Sequence, residues 1–280
     1  MRFKRVYIEI TNMCNLSCSF CIQNSRKGKQ MSVEEFSYVI KQLQPYTKYV
    51  YLHVLGEPLS HPHLETFLKI CKDANMQVTI TTNGTLLASK ASIIAKAGCV
   101  RQVNISVHSF PAHKQPAYMD TIYTHASIMA QANIHVNLRL WSLTTGELSQ
   151  DTDILLEEIL THYGKQKEEV LLKRMSRFDL ADHIHLHFED VFEWPSLHHP
   201  YVNEQGTCLG MKTMCGILSD GTVVPCCLDS KGDINLGNIF ETPFKAIVES
   251  NRCQDMVTGF QRKQIMEELC KHCSYRLRFK

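Results

Sequence analysis

Cys14, Cys18 and Cys21 stand at a Cys-x3-Cys-x2-Cys spacing directly after a strand-like run, residues 6–11. A cubane iron-sulfur cluster ordinarily takes four cysteines. A compact set of three therefore predicts a cluster whose fourth iron is kept for a ligand that the protein does not supply. Zinc is the competing reading, because three nearby cysteines in an intracellular chain often bind it. After Trp194-Pro195 cysteines return at Cys208, Cys215, Cys226, Cys227, Cys253, Cys270 and Cys273, which marks a second metal module. Twelve cysteines in all are not read as a disulfide framework, since the chain is read as cytoplasmic and thiols there are kept reduced.

Alternating strands and helices must position the first group. Strand-like runs fall at about residues 6–11, 49–55, 77–82, 100–107, 134–140 and 183–188. Between them, Ser32 and Glu35 form a capping box and Met31 and Phe36 a hydrophobic staple. They start a helix with Phe36, Val39, Ile40 and Leu43 on its apolar face, ended near Pro45. A second helical face carries Leu64, Phe67, Leu68 and Cys71, and a third, with Ile93, Ile94 and Ala97, is closed by Gly98. Two more helices are expected at about residues 118–132 and 152–163, followed by a charged, loose segment. Cys71, Cys99 and Cys253 are read as packing residues.

Repeated strand-helix-strand units require parallel strands with right-handed crossovers. The fold class is α/β, an open (β/α)6 partial barrel over residues 1–190, followed by a small α+β cluster-binding module at 191–280. In the module, Asp220-Gly221 predicts a hairpin turn whose return strand carries Pro225-Cys226-Cys227. Thr242 and Pro243 are read as N-cap and first residue of a helix near 244–250. A piece of this size with few apolar elements is marginal alone, and a cluster joining distant cysteines would staple it.

Ligands of such folds sit at the carboxyl ends of the strands, where Asn83, Ser106, His108 and Arg139 lie. His183, His185 and His187 alternate with apolar residues and share one strand face. A polar face is the favoured reading and a zinc or iron site the alternative.

Composition excludes more than it assigns. The 280 residues are 44% hydrophobic, enough for an ordinary core, and 30 basic against 28 acidic side chains leave a formal +2. That balance gives no argument for nucleic acid, so RNA is a possible but unindicated substrate. The basic ends, Arg2, Lys4 and Arg5 and then Lys271, Arg276, Arg278 and Lys280, are read as solvated. No run approaches the roughly 20 apolar residues of a membrane span, nor is there a signal core.

The cysteine loop, together with Gly56-Glu57 after the second strand, resembles the radical S-adenosylmethionine (SAM) superfamily. Leu55 replaces the first glycine of that family's Gly-Gly-Glu element. The resemblance implies that Cys14, Cys18 and Cys21 hold a 4Fe-4S cluster and that Gly56 and Glu57 hold the methionine amino group of SAM. It also implies that Phe20 lies against the adenine, Ser106 binds the ribose and Arg139 the carboxylate, with Asn83 nearby. Phe20 read without the family is a loop aromatic filling a core.

Cys208-x12-Gly221-x4-Cys226 and Cys270-x2-Cys273 resemble the SPASM module of many such enzymes. With seven residues after Cys273, the shortened twitch form is expected, with one auxiliary 4Fe-4S cluster on Cys208, Cys226, Cys270 and Cys273. Cys215 is an alternative ligand. Cys227 should face away from that cluster by strand alternation, as packing or as a hydrogen-atom donor.

The implied activity is cleavage of SAM to a 5′-deoxyadenosyl radical and net oxidation of a small molecule or peptide. Flavodoxin or ferredoxin is the expected electron donor. A redox-neutral epimerase using Cys227 is the alternative within enzymes, and a non-enzymatic zinc or iron-sulfur module is the alternative of another class. Peptides, aminosugars and RNA are the substrate classes left open, and the peptide reading is weakened because no separate leader-recognition domain is read ahead of the barrel.

Overall fold

The computed structural model describes residues 3–109, 116–144, 147–148, 150–173, 177–190 and 192–279. Arg2 and Lys280, two of the basic terminal residues, lie outside the described residues. Along the chain the elements are β1 (Arg5–Ile8), α1 (Val33–Leu43), β2 (Tyr49–Tyr51), α2 (Leu64–Asp73), β3 (Gln77–Thr82), α3 (Leu87–Lys96) and β4 (Val100–Ile105). They continue with α4 (Pro116–Gln131), β5 (His135–Thr144), β6 (Glu147–Leu148), α5 (Gln150–His162), α6 (Lys167–Lys173), β7 (Arg177–Ala181) and β8 (Ile184–Asp190). The last part holds β9 (Met214–Ile217), β10 (Val223–Val224), α7 (Phe244–Val248), α8 (Asn251–Gln261) and α9 (Glu268–Lys271). The contacts divide the chain into two compact units, Met1–Val78 with Phe192–Lys280, and Thr79–Val191.

In the first unit β1 lies parallel to β2 and to β9, and β10 turns back antiparallel to β9. The C-terminal segment therefore completes the N-terminal sheet. Val6 stands opposite Val50 on one side and Cys215 on the other, all three fully buried. The next residue, Tyr7, points to the other face by strand alternation, where its ring meets Tyr51 at 5.0 Å and His53 at 5.4 Å.

Helix α1 starts as its sequence requires. The Ser32 hydroxyl accepts from the Glu35 amide at 3.1 Å, and the Glu35 carboxylate accepts from the Ser32 amide at 2.8 Å. Phe36 of α1 stacks on Phe67 of α2 with ring centroids 4.2 Å apart. Burying each such aromatic contributes roughly 1.5–3 kcal/mol. Phe244 of α7 packs with Phe3 and Tyr46, with ring centroids 6.1 and 5.1 Å away.

Thr242 does not cap α7. Pro243 occupies the N-cap with no side-chain bond, since proline can precede a helix but brings no capping oxygen. Helix α8 has no counterpart in the sequence expectations, although the Ser250 hydroxyl caps it by accepting from the Cys253 amide. Its Gly259 permits a close crossing, because a Cβ there would lie 2.6 Å from Met266 Cγ and 2.8 Å from the Gln264 carbonyl.

In the second unit the strand order is β3-β4-β5-β8-β7, with β6 on β5. β4, β5 and β8 are parallel neighbours and β7 is antiparallel to β8. One sheet face is apolar and buried, with Ile80, Val103, Ile105, Val136, Leu138 and Leu186. The expected loose segment before the sixth strand is instead ordered over its described residues as α6 and β7. Charge concealed both: Lys167 of α6 pairs with Asp153 of α5 at 2.6 Å, and β7 exposes Arg177, Asp179 and Ala181 while burying Phe178 and Leu180.

The fold is mixed α/β with a parallel sheet that does not close into a barrel, as the open (β/α)6 expectation requires. Among the described residues no helix is long and apolar enough to cross a membrane.

Candidate functional site

The first cysteine group occupies a loop without regular structure, held shut at its base. Asn12 makes the clip: its amide donates to the Lys29 carbonyl at 3.2 Å, its Oδ1 accepts from the Lys29 amide at 2.8 Å, and its Nδ2 donates to the Lys27 carbonyl at 2.9 Å. Within the loop Cys14 is exposed, and Cys18 and Cys21 are half-buried. The Cys21 amide donates to the Cys18 carbonyl at 3.1 Å, which folds the last two cysteines into one turn. Phe20 is partly exposed beside them.

Gly56 lies directly against the start of this loop. Its φ is +75°, and a Cβ there would collide with the Thr11 carbonyl oxygen and lie 2.9 Å from that of Met13. Only glycine tolerates both the conformation and the approach. The Glu57 amide donates to the Met13 carbonyl at 2.9 Å. The Glu57 carboxylate is buried and accepts from the Leu59 amide at 2.9 Å, capping the turn Pro58–Ser60.

The second group is built differently. Burial pushes the thiols of Cys226 and Cys270 well above the ordinary range, and the neighbouring cysteines push the same way: Cys227, Cys208 and Cys270 act on Cys226, and Cys208 and Cys273 on Cys270. The four thiols are thus electrostatic neighbours although they span 66 positions of sequence, 208 to 273. Burial raises Cys208 and Cys273 too, opposed by backbone amides that hydrogen-bond the sulfurs: Leu209 and Gly210 at Cys208, Tyr275 and Arg276 at Cys273. Amides aimed at sulfur favour thiolate, the ligand form.

Arg276 is not a solvated end. It is 2% exposed, and its guanidinium donates to the carbonyls of Cys270 (2.8 Å), Gln205 (2.8 Å) and Asn203 (2.6 Å). Asp229, buried after the Cys226-Cys227 pair, accepts the amides of Asp233 and Ile234 at 2.9 Å each. Burial raises its carboxyl to about 6, against those amide bonds.

Cys215 stands away from this group. It is fully buried on β9, and the thiol acting on it is that of Cys253. Cys227 does not follow strand alternation, because β10 ends at Val224 and Cys226-Cys227 lie in the turn beyond it; its thiol acts on Cys226 and also makes a side-chain hydrogen bond to the Tyr7 hydroxyl of β1.

In the second unit Asn83 is buried, and its Oδ1 accepts from the Thr85 amide at 3.0 Å and hydroxyl at 2.7 Å. Its side chain therefore shapes the turn after β3. Ser106 follows β4 and receives the Ser109 amide on its carbonyl at 2.9 Å. Arg139 on β5 is half-buried, with Glu189 Oε2 at 4.0 Å. Its carbonyl lies 2.8 Å from His108 Nδ1. A carbonyl only accepts, so that nitrogen carries the proton. Burial lowers the His108 pKa to about 4 and keeps the ring neutral.

His183, His185 and His187 do not form one strand face. His183 precedes β8 with φ +57° and its ring packs on His135 at 4.7 Å. His185 is engaged by Asp179 at 2.6 Å and by His135 at 3.1 Å. The face that carries His185 and His187 continues across β3 to β5 as an amide ladder. Asn137 Nδ2 and Gln102 Nε2 both donate to Asn104 Oδ1 at 2.8 Å, and Asn104 Nδ2 donates to Thr81 at 3.1 Å. Asn137 Oδ1 is buried with no hydrogen-bond partner among the described residues.

Among the described residues no three His, Cys, Asp or Glu side chains converge on a single-ion centre. The donor sets nevertheless fit iron-sulfur clusters, whose cysteines surround a core of several atoms and need not meet at a point. Sequence reasoning had not identified Glu9, Asn12, Arg26 or the role of Arg276. A visible signal was present for one of them, since Glu9 is the one charged residue in the strand-like run of residues 6–11, where a buried ion is costly unless paired.

A radical SAM superfamily model matches residues 8–136, and a model of an iron-sulfur cluster-binding domain, SPASM, matches residues 208–274. The chain is 32% identical over 110 residues to a probable GTP 3',8-cyclase of Methanocella arvoryzae, covering 39% of this chain and 35% of the cyclase. The match thus spans about a third of that relative. Similarity to an AdoMet-dependent heme synthase of Methanosarcina barkeri is 23% identity across 96% of this chain and 87% of the synthase.

Among solved structures, BtrN in complex with AdoMet and 2-DOIA is similar with a TM-score of 0.58 and 13% identity, over 98% of this chain and 94% of BtrN. SuiB of Streptococcus suis bound to its precursor peptide SuiA gives a TM-score of 0.63 and 16% identity, over 98% of this chain and 71% of SuiB. At these identities the likeness is one of fold.

Proposed function

We propose, for a chain that belongs to the radical SAM superfamily and carries a SPASM iron-sulfur domain, that it cleaves SAM reductively and oxidises a small hydrophilic substrate by two electrons. In this reading residues 1–190 form the radical-generating part and residues 191–280 the auxiliary cluster module. Cys14, Cys18 and Cys21 would hold a 4Fe-4S cluster that, with SAM, supplies a 5′-deoxyadenosyl radical able to remove a hydrogen atom. Cys208, Cys226, Cys270 and Cys273 would hold one auxiliary 4Fe-4S cluster that, ligated on all sides by protein, supplies an electron acceptor closed to direct substrate binding.

The electrons balance. SAM takes one electron and becomes methionine and, after hydrogen abstraction, 5′-deoxyadenosine. The substrate radical then loses a second electron and a proton. Dehydrogenation of an alcohol is the simplest such reaction, with flavodoxin or ferredoxin as the external donor.

The chain's own residues bind and orient. The Asn12 clip and the Gly56-Glu57 turn present the cysteine loop at the end of β1, and the proposal keeps Gly56 and Glu57 on the methionine ammonium, with Phe20 on the adenine. Ser106 and Arg139 are assigned to ribose and carboxylate. Asn83 is assigned to shaping that end of β3, given its bonds to Thr85.

The observation that carries the oxidative reading is the mutual approach of Cys208, Cys226, Cys270 and Cys273, with Cys215 elsewhere. The hydrophilic substrate is supported by the Thr81, Gln102, Asn104 and Asn137 ladder, whose buried Asn137 Oδ1 would accept from a substrate hydroxyl or amine. BtrN was solved with the small ligand 2-DOIA, whereas SuiB was solved with a peptide.

Epimerisation is the second reading. The Tyr7–Cys227 hydrogen bond favours it, because it fixes a thiol next to, yet outside, the auxiliary set. Anaerobically loaded protein given reductant and SAM should form 5′-deoxyadenosine, and Cys18→Ala should abolish it. Continued cleavage in the variant would sink the assignment.

A further inference from the structure

Glu9 follows β1 and is fully buried, yet its carboxylate is saturated with donors. Oε1 accepts from Arg26 Nη2 at 2.6 Å and from the Leu55 amide at 3.2 Å. Oε2 accepts from Arg26 Nη2 at 2.6 Å, the Ser219 amide at 3.0 Å and the Ser219 hydroxyl at 2.9 Å. Arg26 Nε then donates to the Ser230 carbonyl at 2.9 Å. These partners belong to three segments far apart in sequence. Arg26 lies five positions after Cys21, Leu55 is the residue before Gly56, and Ser219 and Ser230 flank the Cys226-Cys227 pair.

We propose that Glu9 is a positioning residue that fixes the cysteine loop, the Gly56-Glu57 turn and the auxiliary-cluster hairpin to one another through a single buried anion. A surface-exposed tie would be weak. A buried carboxylate with charge-assisted bonds is strong, and directional on both oxygens. It acts beside the β1–β9 pairing, within the compact unit that holds both the hairpin and residues 1–78. Any displacement of the hairpin is then felt at Leu55, one residue from the SAM-binding turn. The functional half of the inference rests on the radical SAM reading, and the mechanical half does not.

Glu9→Gln is the decisive variant, because every orientation of the amide turns its NH2 toward a donor. At the Oε1 site it opposes Arg26 and the Leu55 amide, and at the Oε2 site Arg26 and the Ser219 amide. Hydrogen exchange of the cluster-loaded protein should rise together in residues 22–30, 54–58 and 217–231. SAM titration followed by the electron paramagnetic resonance signal of the reduced first cluster should weaken about tenfold, which is about 1.4 kcal/mol. Ser219→Ala removes one donor only and should raise exchange first in 217–231, with a two- to threefold weaker titration, on the order expected for one lost bond; it decides the matter should Glu9→Gln fail to fold.

For Glu9→Gln, exchange that rises in one segment alone or a titration within twofold of the parent overturns the proposal; for Ser219→Ala, exchange confined to 217–231 together with an unchanged titration does so. A parent protein that binds no SAM would overturn the radical SAM reading, whereas concerted exchange in Glu9→Gln would still establish the tie.

Discussion

The two cysteine groups solve opposite problems. Cys14, Cys18 and Cys21 sit on an irregular loop, one of them exposed, with the Asn12 clip at its base, the Leu16 amide 3.5 Å from Cys14 Sγ and the Gln23 Nε2 donating to the Cys18 carbonyl at 2.9 Å. Cys208, Cys226, Cys270 and Cys273 are half-buried, receive amide bonds at two sulfurs and are braced by Arg276 and Asp229. Under the proposed assignment the first site is open to a ligand from outside and the second is closed by protein. The difference in the fold lies in span: the first three cysteines fall within eight positions of one loop, whereas the second four are drawn from 66 positions of sequence.

Removing a ligand from each site gives the largest contrast. Cys18→Ala should end 5′-deoxyadenosine formation and lower the iron content by about four, leaving the second cluster, as four-iron cubanes require. Cys226→Ala should lose a similar amount of iron and also lower the melting temperature, since it unstaples the segment. Equal thermal effects of the two substitutions would erase the distinction between open and closed sites.

Next in size is Arg276→Ala. It strands the carbonyls of Cys270, Gln205 and Asn203, so thermal unfolding should report about 2–4 kcal/mol of lost stability, the cost of several unmade buried bonds, and auxiliary iron should be retained poorly. Full iron with unchanged stability would show that the clamp is redundant.

Gly56→Ala acts on the open site alone. Its positive φ costs about 1–2 kcal/mol for alanine, and the collision with the Thr11 carbonyl must push the turn off the loop. SAM affinity should fall while the auxiliary spectrum stays unchanged. Glu57→Ala should do the same more mildly, and isothermal titration with SAM separates both from the parent.

Cys227→Ala should do least. It keeps both clusters, and under the oxidative reading it keeps substrate turnover. Loss of product with solvent deuterium in the parent's product would instead favour the epimerase.

Local signals were legible in the sequence, and distant ones were not. The capping box at Ser32 and Glu35 and the Asp220-Gly221 hairpin act within a few residues, and each appears in the fold. Arg276 looked like a charged tail because its partners at Asn203 and Gln205 are about 70 positions away. Glu9 meets Ser219 across 210 positions, and no local pattern announces such a pair. The three histidines misled for a subtler reason: alternation was correct for His185 and His187, but the strand begins at Ile184 and the left-handed turn at His183 breaks the period.

The parallel pairing of β1 with β9 carries a consequence for synthesis. Val6 finds Cys215 as its neighbour, so at about 5–20 residues per second the ribosome needs roughly 10–40 s to deliver the partner strand. Residues 79–191 are complete earlier and contain their own contacts. The unit that bears both cysteine groups is thus the last to be closed, and a nascent chain stalled before residue 214 would hold its first three thiols on a sheet that still lacks a strand.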